Sequence, residues 1–130
     1  MSTSGNDTSV FHASQTGDLR QLYQLLQAGV DPNQTTDRGG TPLLFAAGAG
    51  HASVVSALLA AGADPNIRTK RGGTALLFAS SAGHTDVVKL LLDAGSDTEL
   101  ATVNGAKPVD LATGNGHEQV RALLVTSQQD

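Results

Sequence analysis

The sequence predicts an all-α repeat solenoid of four helix-turn-helix units, and three observations predict it. First, unlike residues recur in one register. Gly39, Gly72 and Gly105 step by 33 residues, as do Gly29, Gly62 and Gly95, Asp31, Asp64 and Asp97, and His51, His84 and His117. Leu25, Leu58, Leu91 and Leu124 carry the same step across four copies. Second, each unit repeats one internal order: turn, short helix, break, second helix, stop. Third, the apolar complement is small. Hydrophobic residues make up 39% of the 130 residues but aromatics only 3%, with three Phe, one Tyr and no Trp. Small aliphatics suit thin, closely packed layers better than a core built round large rings.

The register divides the chain into a disordered tail at 1–7, units at 8–33, 34–66, 67–99 and 100–126, and a short tail at 127–130. The second unit shows the order most fully. Asp37-Arg38-Gly39-Gly40 is a turn, with glycine available for positive φ. Thr41-Pro42 starts a helix, with a hydroxyl to cap it and proline at its first position. That helix runs through Leu43, Phe45 and Ala46 and breaks at Gly48 to Gly50. A second helix carries Val54, Val55, Leu58 and Leu59 as a one-sided apolar stripe. Gly62 stops it, and Asp64-Pro65-Asn66 turns the chain towards the next unit. Asn104-Gly105 in the fourth unit is a hairpin-tip dipeptide.

The 33-residue period, Thr41-Pro42-Leu43, Ala46-Ala47, Gly50-His51, Leu58-Leu59 and Gly62-Ala63-Asp64-Pro65-Asn66 resemble ankyrin repeats. The resemblance covers about residues 8–126 and implies four ankyrin-like helix-turn-helix repeats with β-hairpin fingers projecting from one edge. The chain departs from the family pattern at the histidine after Thr-Pro-Leu. Leu44, Leu77 and Asp110 stand there, so an apolar ladder is expected in place of a polar one. The Thr-Pro cap weakens to Thr74-Ala75 and then to Lys107-Pro108.

One such unit cannot bury its stripe alone. Stacking buries it, at roughly 1.5–3 kcal/mol for each large aliphatic removed from water. The ends of a stack then need polar outer faces. Gln21 fills the position of Val54, Val87 and Val120, and Arg121 fills that of Leu22, Val55 and Val88. Arg20, Gln24 and Gln27 reinforce the first end, Glu118 and Gln119 the last. Both ends are expected to be caps, giving a small complete solenoid that is a monomer when unbound.

The composition excludes several chemistries. No cysteine is present, so a disulfide framework, a thiolate metal site and a Cys nucleophile are out. No apolar run approaches a membrane span of about 18 residues, and Met1 to Ser9 lack the pattern of a signal peptide. A cytoplasmic location is expected, with a nuclear one compatible, and sequons at Asn6 and Asn33 carry no weight there. A net charge of −4 argues against nucleic acid or an acidic membrane as partner. His51, His84 and His117 are the candidate metal ligands. Their spacing places them on successive layers about 8–10 Å apart, whereas zinc draws its ligands to about 2 Å. They are read instead as starts of the second helices, bonding locally. Gly48-Ala49-Gly50 and Gly114-Asn115-Gly116 lack the strand and third glycine of a dinucleotide loop. No cofactor is expected, and nothing speaks for an enzyme.

Surface recognition remains. The resemblance implies a concave face of finger tips and first-helix ends, through which another protein binds. Carried over by position, the finger set is Asp37, Arg38 and Gly40; Lys70, Arg71 and Gly73; and Val103, Asn104 and Ala106. The helix-end set is Gly48, Ala49, Ser81, Ala82, Gly114 and Asn115. Arg38, Arg68, Lys70 and Arg71 are four of the eight basic residues in an acidic chain, so an acidic or phosphorylated segment suits them as partner. The small helix-end residues make a floor with room for an inserted chain but without the anchors that dominate binding energy. Leu44 and Leu77 are read as packed between units, with an apolar groove stripe as the alternative. The expected role is an adaptor or regulatory module; a steric inhibitor of one enzyme and a structural subunit are the alternatives.

Overall fold

Threonine hydroxyls and left-handed glycines mark where the helices begin and end. A computed structural model describes residues 8–128; the tail expected at 1–7 and the last two residues lie outside the described residues. Eight helices follow in order: α1 (Ser9–Thr16), α2 (Leu19–Gln27), α3 (Pro42–Ala49), α4 (Ala52–Ala60), α5 (Ala75–Ala82), α6 (Thr85–Asp93), α7 (Pro108–Gly114) and α8 (Glu118–Gln128). Each of the four units contains one pair. Because α8 continues to Gln128, Ser127 and Gln128 are helix, not the start of a tail.

Thr41 Oγ1 accepts the Leu44 N–H at 3.1 Å, and Thr74 Oγ1 accepts the Leu77 N–H at 3.2 Å. The threonine cap thus persists in the third unit without its proline. In the fourth, the Asp110 carboxylate accepts the Lys107 N–H at 2.9 Å, so the residue three places into the helix supplies the oxygen that Lys107 lacks. The break after the first helix falls later than expected. Gly48 lies inside α3, and Gly50, at φ 80°, ends it. Glycine in a helix interior costs stability but does not by itself stop a helix; the left-handed residue does.

The first helices α1, α3, α5 and α7 lie side by side, and the second helices α2, α4, α6 and α8 line up behind them. Between the rows Leu22, Val55, Leu58, Val88, Leu91 and Leu124 are fully buried. Leu44 and Leu77 are buried as well, and Leu44 also lines a hollow on the finger side. At the ends, Gln21 and Arg121 are half-buried in place of those aliphatics. Arg121 pairs with Glu118 at 3.2 Å on the surface, a contact worth little in water.

The fingers are hairpin-shaped turns, not β-hairpins: no strand occurs among the described residues. In the second unit the Gly39 N–H bonds Thr36 O at 2.8 Å and the Thr36 N–H bonds Gly40 O at 2.9 Å. The same closure joins Thr69 to Gly73 and Thr102 to Ala106. Each turn closes one pair of residues, and the next residue already starts a helix. The arms are therefore too short for a ladder.

The recurrent Asp-Pro-Asn segments tie neighbouring units. Asn33 Nδ2 donates to Gly62 O at 3.1 Å while its Oδ1 accepts the Asp64 N–H at 2.8 Å. Asn66 repeats this with Gly95 O at 3.3 Å and the Asp97 N–H at 2.7 Å. Asn66→Ala removes both bonds and is expected to destabilise the chain by about 1–2 kcal/mol in chemical denaturation, whereas Asn66→Asp, which keeps the acceptor, should cost less. Glu99 stands at the next position of this series, and its carboxylate takes a hydrogen bond from Lys107 Nζ at 2.7 Å.

Ser80 is one place where local chemistry opposes the fold. It is fully buried, and its hydroxyl has no hydrogen-bond partner. One unit earlier the same position is Ala47; two units earlier Ser14 donates to Val10 O at 2.7 Å. A buried hydroxyl without a partner costs about 1–3 kcal/mol. Ser80→Ala is expected to raise stability by about 1 kcal/mol, read as a higher denaturation midpoint at unchanged slope.

Candidate functional site

Histidines reaching back one unit tie the helix ends together. His51, His84 and His117 each precede a second helix, as the sequence implied, but they do not bond locally. Each ring Nε2 hydrogen-bonds a carbonyl of the preceding unit: Gln15 O at 2.9 Å, Gly48 O at 3.1 Å and Ser81 O at 3.0 Å. Each ring also lies over a left-handed glycine. A Cβ on Gly17, Gly50 or Gly83 would sit within 2.5–2.7 Å of the imidazole. The acceptor carbonyls of Gly48 and Ser81 belong to the helix-end set, so two of its residues already serve the stack. Asn115 is engaged in the same way: its Nδ2 donates to Ser81 O at 2.9 Å and to Ser81 Oγ at 3.1 Å. Ala49, Ala82 and Gly114 are exposed.

Phe45 and Phe78, which the carried-over sets omit, line the hollows beside the fingers. Phe11 and Phe45 meet edge to face with ring centroids 5.8 Å apart. Phe78, one unit beyond Phe45, is 43% exposed. These rings explain two finger glycines. A Cβ on Gly40 would lie 3.3 Å from the Phe45 ring, and one on Gly73 would lie 2.7 Å from that of Phe78. Gly40 and Gly73 are themselves buried; they let the rings lie against the finger and offer little surface of their own. The 33-residue step from Phe45 to Phe78 was the available signal. A phenylalanine on a helix otherwise reads as core.

The fingers divide by what their cations do. Arg38, Lys70 and Arg71 are exposed, as is Asp37. The salt bridges among the described residues are Lys107–Glu99 and Arg121–Glu118, and the three finger cations take part in neither. Arg68 differs. Its guanidinium donates to the Ala101 carbonyl of the next finger, so it ties finger to finger and is not a free cation of the tip cluster. The second and third fingers are also joined, by the Lys70 N–H donating to Arg38 O at 3.0 Å. On the last finger Val103 is 71% exposed, Asn104 is exposed and Ala106 half-buried. Nearby, the hydrogen bond to Glu99 and its charge hold the Lys107 ammonium above the ordinary lysine range.

Two hollows lie on this face. One, of 480 Å³, is lined by Gln15, Thr36, Arg38, Gly40, Leu44, Phe45, Gly48, Ala49, Thr69 and Phe78. The other, of 490 Å³, is lined by Arg38, Thr69, Lys70, Arg71 and Phe78. Four predicted site residues, Arg38, Gly40, Gly48 and Ala49, thus meet round the first, and Arg38, Lys70 and Arg71 round the second.

Against this geometry, the family model for ankyrin repeats (three copies) matches residues 10–102 and again 53–130. The chain belongs to the ankyrin-repeat family. No curated protein matches it. Ankyrin repeats are protein–protein interaction modules, and in this ankyrin-repeat chain Arg38, Lys70, Arg71 and the exposed Phe78 ring line one hollow. Among the described residues no three His, Asp or Glu come together as a metal site. Nor is any helix among them long and apolar enough to cross a membrane.

Proposed function

We propose that this ankyrin-repeat protein is a non-enzymatic adaptor or regulatory module that binds another protein through its concave finger-and-groove face. The observation that carries this reading is the convergence of Arg38, Lys70 and Arg71 on adjacent fingers, exposed and outside the salt bridges of the fold. Structural arginines find partners, as Arg68 does; cations that find none are available to a ligand. An acidic or phosphorylated segment of a protein matches their charge. Gly48, Ala49 and Ala82 supply a floor low enough for an inserted chain, and Val103 and Asn104 extend the contact to the last finger. Asp37, exposed and next to Arg38 in the chain, disfavours anions placed against its own carboxylate.

The test is affinity capture from native cell extract, with the Arg38→Glu, Lys70→Glu and Arg71→Glu triple variant as control. A protein held by the wild type and lost by the variant supports the reading. Equal capture by both removes the fingers from it.

A further inference from the structure

We infer that the groove takes an acidic segment of its partner in which one large apolar side chain stands beside two or more carboxylates; this rests on the finger-and-groove face being the binding surface. The two hollows share Arg38, Thr69 and Phe78, yet their other walls differ in kind. The first is apolar, with Leu44 and Phe45 as its large side chains. The second adds Lys70 and Arg71. Phe78 stands between them and is 43% exposed, a large ring left in water next to three cations. Such a ring is a ready anchor when a ligand covers it. Neighbouring residues of an extended chain lie about 3.5 Å apart. A side chain seated in the apolar hollow therefore brings its sequence neighbours over the basic one.

The charge on those neighbours is negative by complementarity, and the finger backbone decides between carboxylate and phosphate. Phosphate sites gather free backbone N–H groups as well as cations. Here every N–H from Thr69 to Gly73 is engaged. Thr69 N–H donates to Gly73 O, Lys70 N–H to Arg38 O and Gly72 N–H to Thr69 O, while Arg71 and Gly73 N–H both donate to Thr69 Oγ1. The third finger offers side-chain charge, joined by that of Arg38 from the turn before it, and no amide cradle of its own. Several carboxylates along a chain match that distribution better than one concentrated phosphate.

The experiment selects a random 12-residue phage-displayed peptide library on the whole protein, then measures the synthesised winners by fluorescence anisotropy. Enriched sequences are expected to hold two or more Asp or Glu within a few residues of a Leu, Ile, Met, Phe or Trp. Phe78→Ser is expected to weaken their binding at least about tenfold, and so is Lys70→Glu with Arg71→Glu. The second variant changes exposed side chains alone and so keeps the test sound if Phe78→Ser unfolds. Absence of enrichment, enrichment of neutral or basic sequences, or affinity unmoved by either variant overturns the inference. So does tighter binding when phosphoserine replaces the peptide glutamates. A cellular partner lost by the finger triple variant but held unchanged by Phe78→Ser overturns this inference and leaves the proposed function standing; a partner indifferent to the triple variant removes both.

Discussion

Gly83→Ala is expected to destabilise the protein by about 3 kcal/mol, while Gly116→Ala, at the same position one unit later, costs about 1 kcal/mol. Both glycines are left-handed, at φ 79° and 76°, so both substitutions carry the conformational penalty of a Cβ in that region. They differ in what stands above them. A Cβ on Gly83 would lie 2.5 Å from His117 Nδ1 and 2.6 Å from its Cε1, whereas nothing lies within 4 Å of one on Gly116. The alanine must push the ring away, and the ring holds Ser81 O at 3.0 Å. The extra cost is thus overlap plus one hydrogen bond between units. Thermal unfolding should fall by about 10 °C for Gly83→Ala and by about a third of that for Gly116→Ala. Equal shifts for the two would mean that the imidazole yields freely and does not hold the units in place.

The triple charge reversal at Arg38, Lys70 and Arg71 is expected to lower affinity for the partner at least about 100-fold, or about 2.7 kcal/mol, with thermal unfolding almost unchanged. The asymmetry follows from where the atoms stand. The side chains are exposed and outside the salt bridges of the fold, so exchanging them moves stability by no more than a few tenths of a kcal/mol each. The hydrogen bond that joins these fingers runs from the Lys70 N–H to Arg38 O, and main chain survives substitution. Wild-type affinity should also fall as salt is raised from low to physiological ionic strength, measured by titration calorimetry, and the variant should have lost most of that dependence.

The fold was legible because its causes are local and recur. Glycine registers, Thr-Pro caps and the Val-Val-x-x-Leu-Leu stripe each fix a boundary or a buried face, and the observed helix pairs follow them. What went astray required contacts that appear only once the chain is folded. Gly48 reads as a break until α3 is seen to pass through it. Arg68 counts as a free finger cation until the Ala101 carbonyl of the next finger captures it. Gly40 and Gly73 read as contact residues, yet each is a flat patch over a phenylalanine ring. Phe78 was hidden for the opposite reason. A phenylalanine on a helix reads as core, and only the folded chain shows the ring 43% exposed. The histidines carried a usable sign, since each follows a left-handed glycine of the previous unit by 34 residues: Gly17 to His51, Gly50 to His84, Gly83 to His117.

The back-reaching imidazoles have a consequence for how such a surface changes over generations. They hold the Gln15, Gly48 and Ser81 carbonyls for the stack, and every amide of the third finger is engaged, so that finger speaks to a visitor through its side groups. Rewriting a few of those letters redirects recognition while the frame that displays them stays the same.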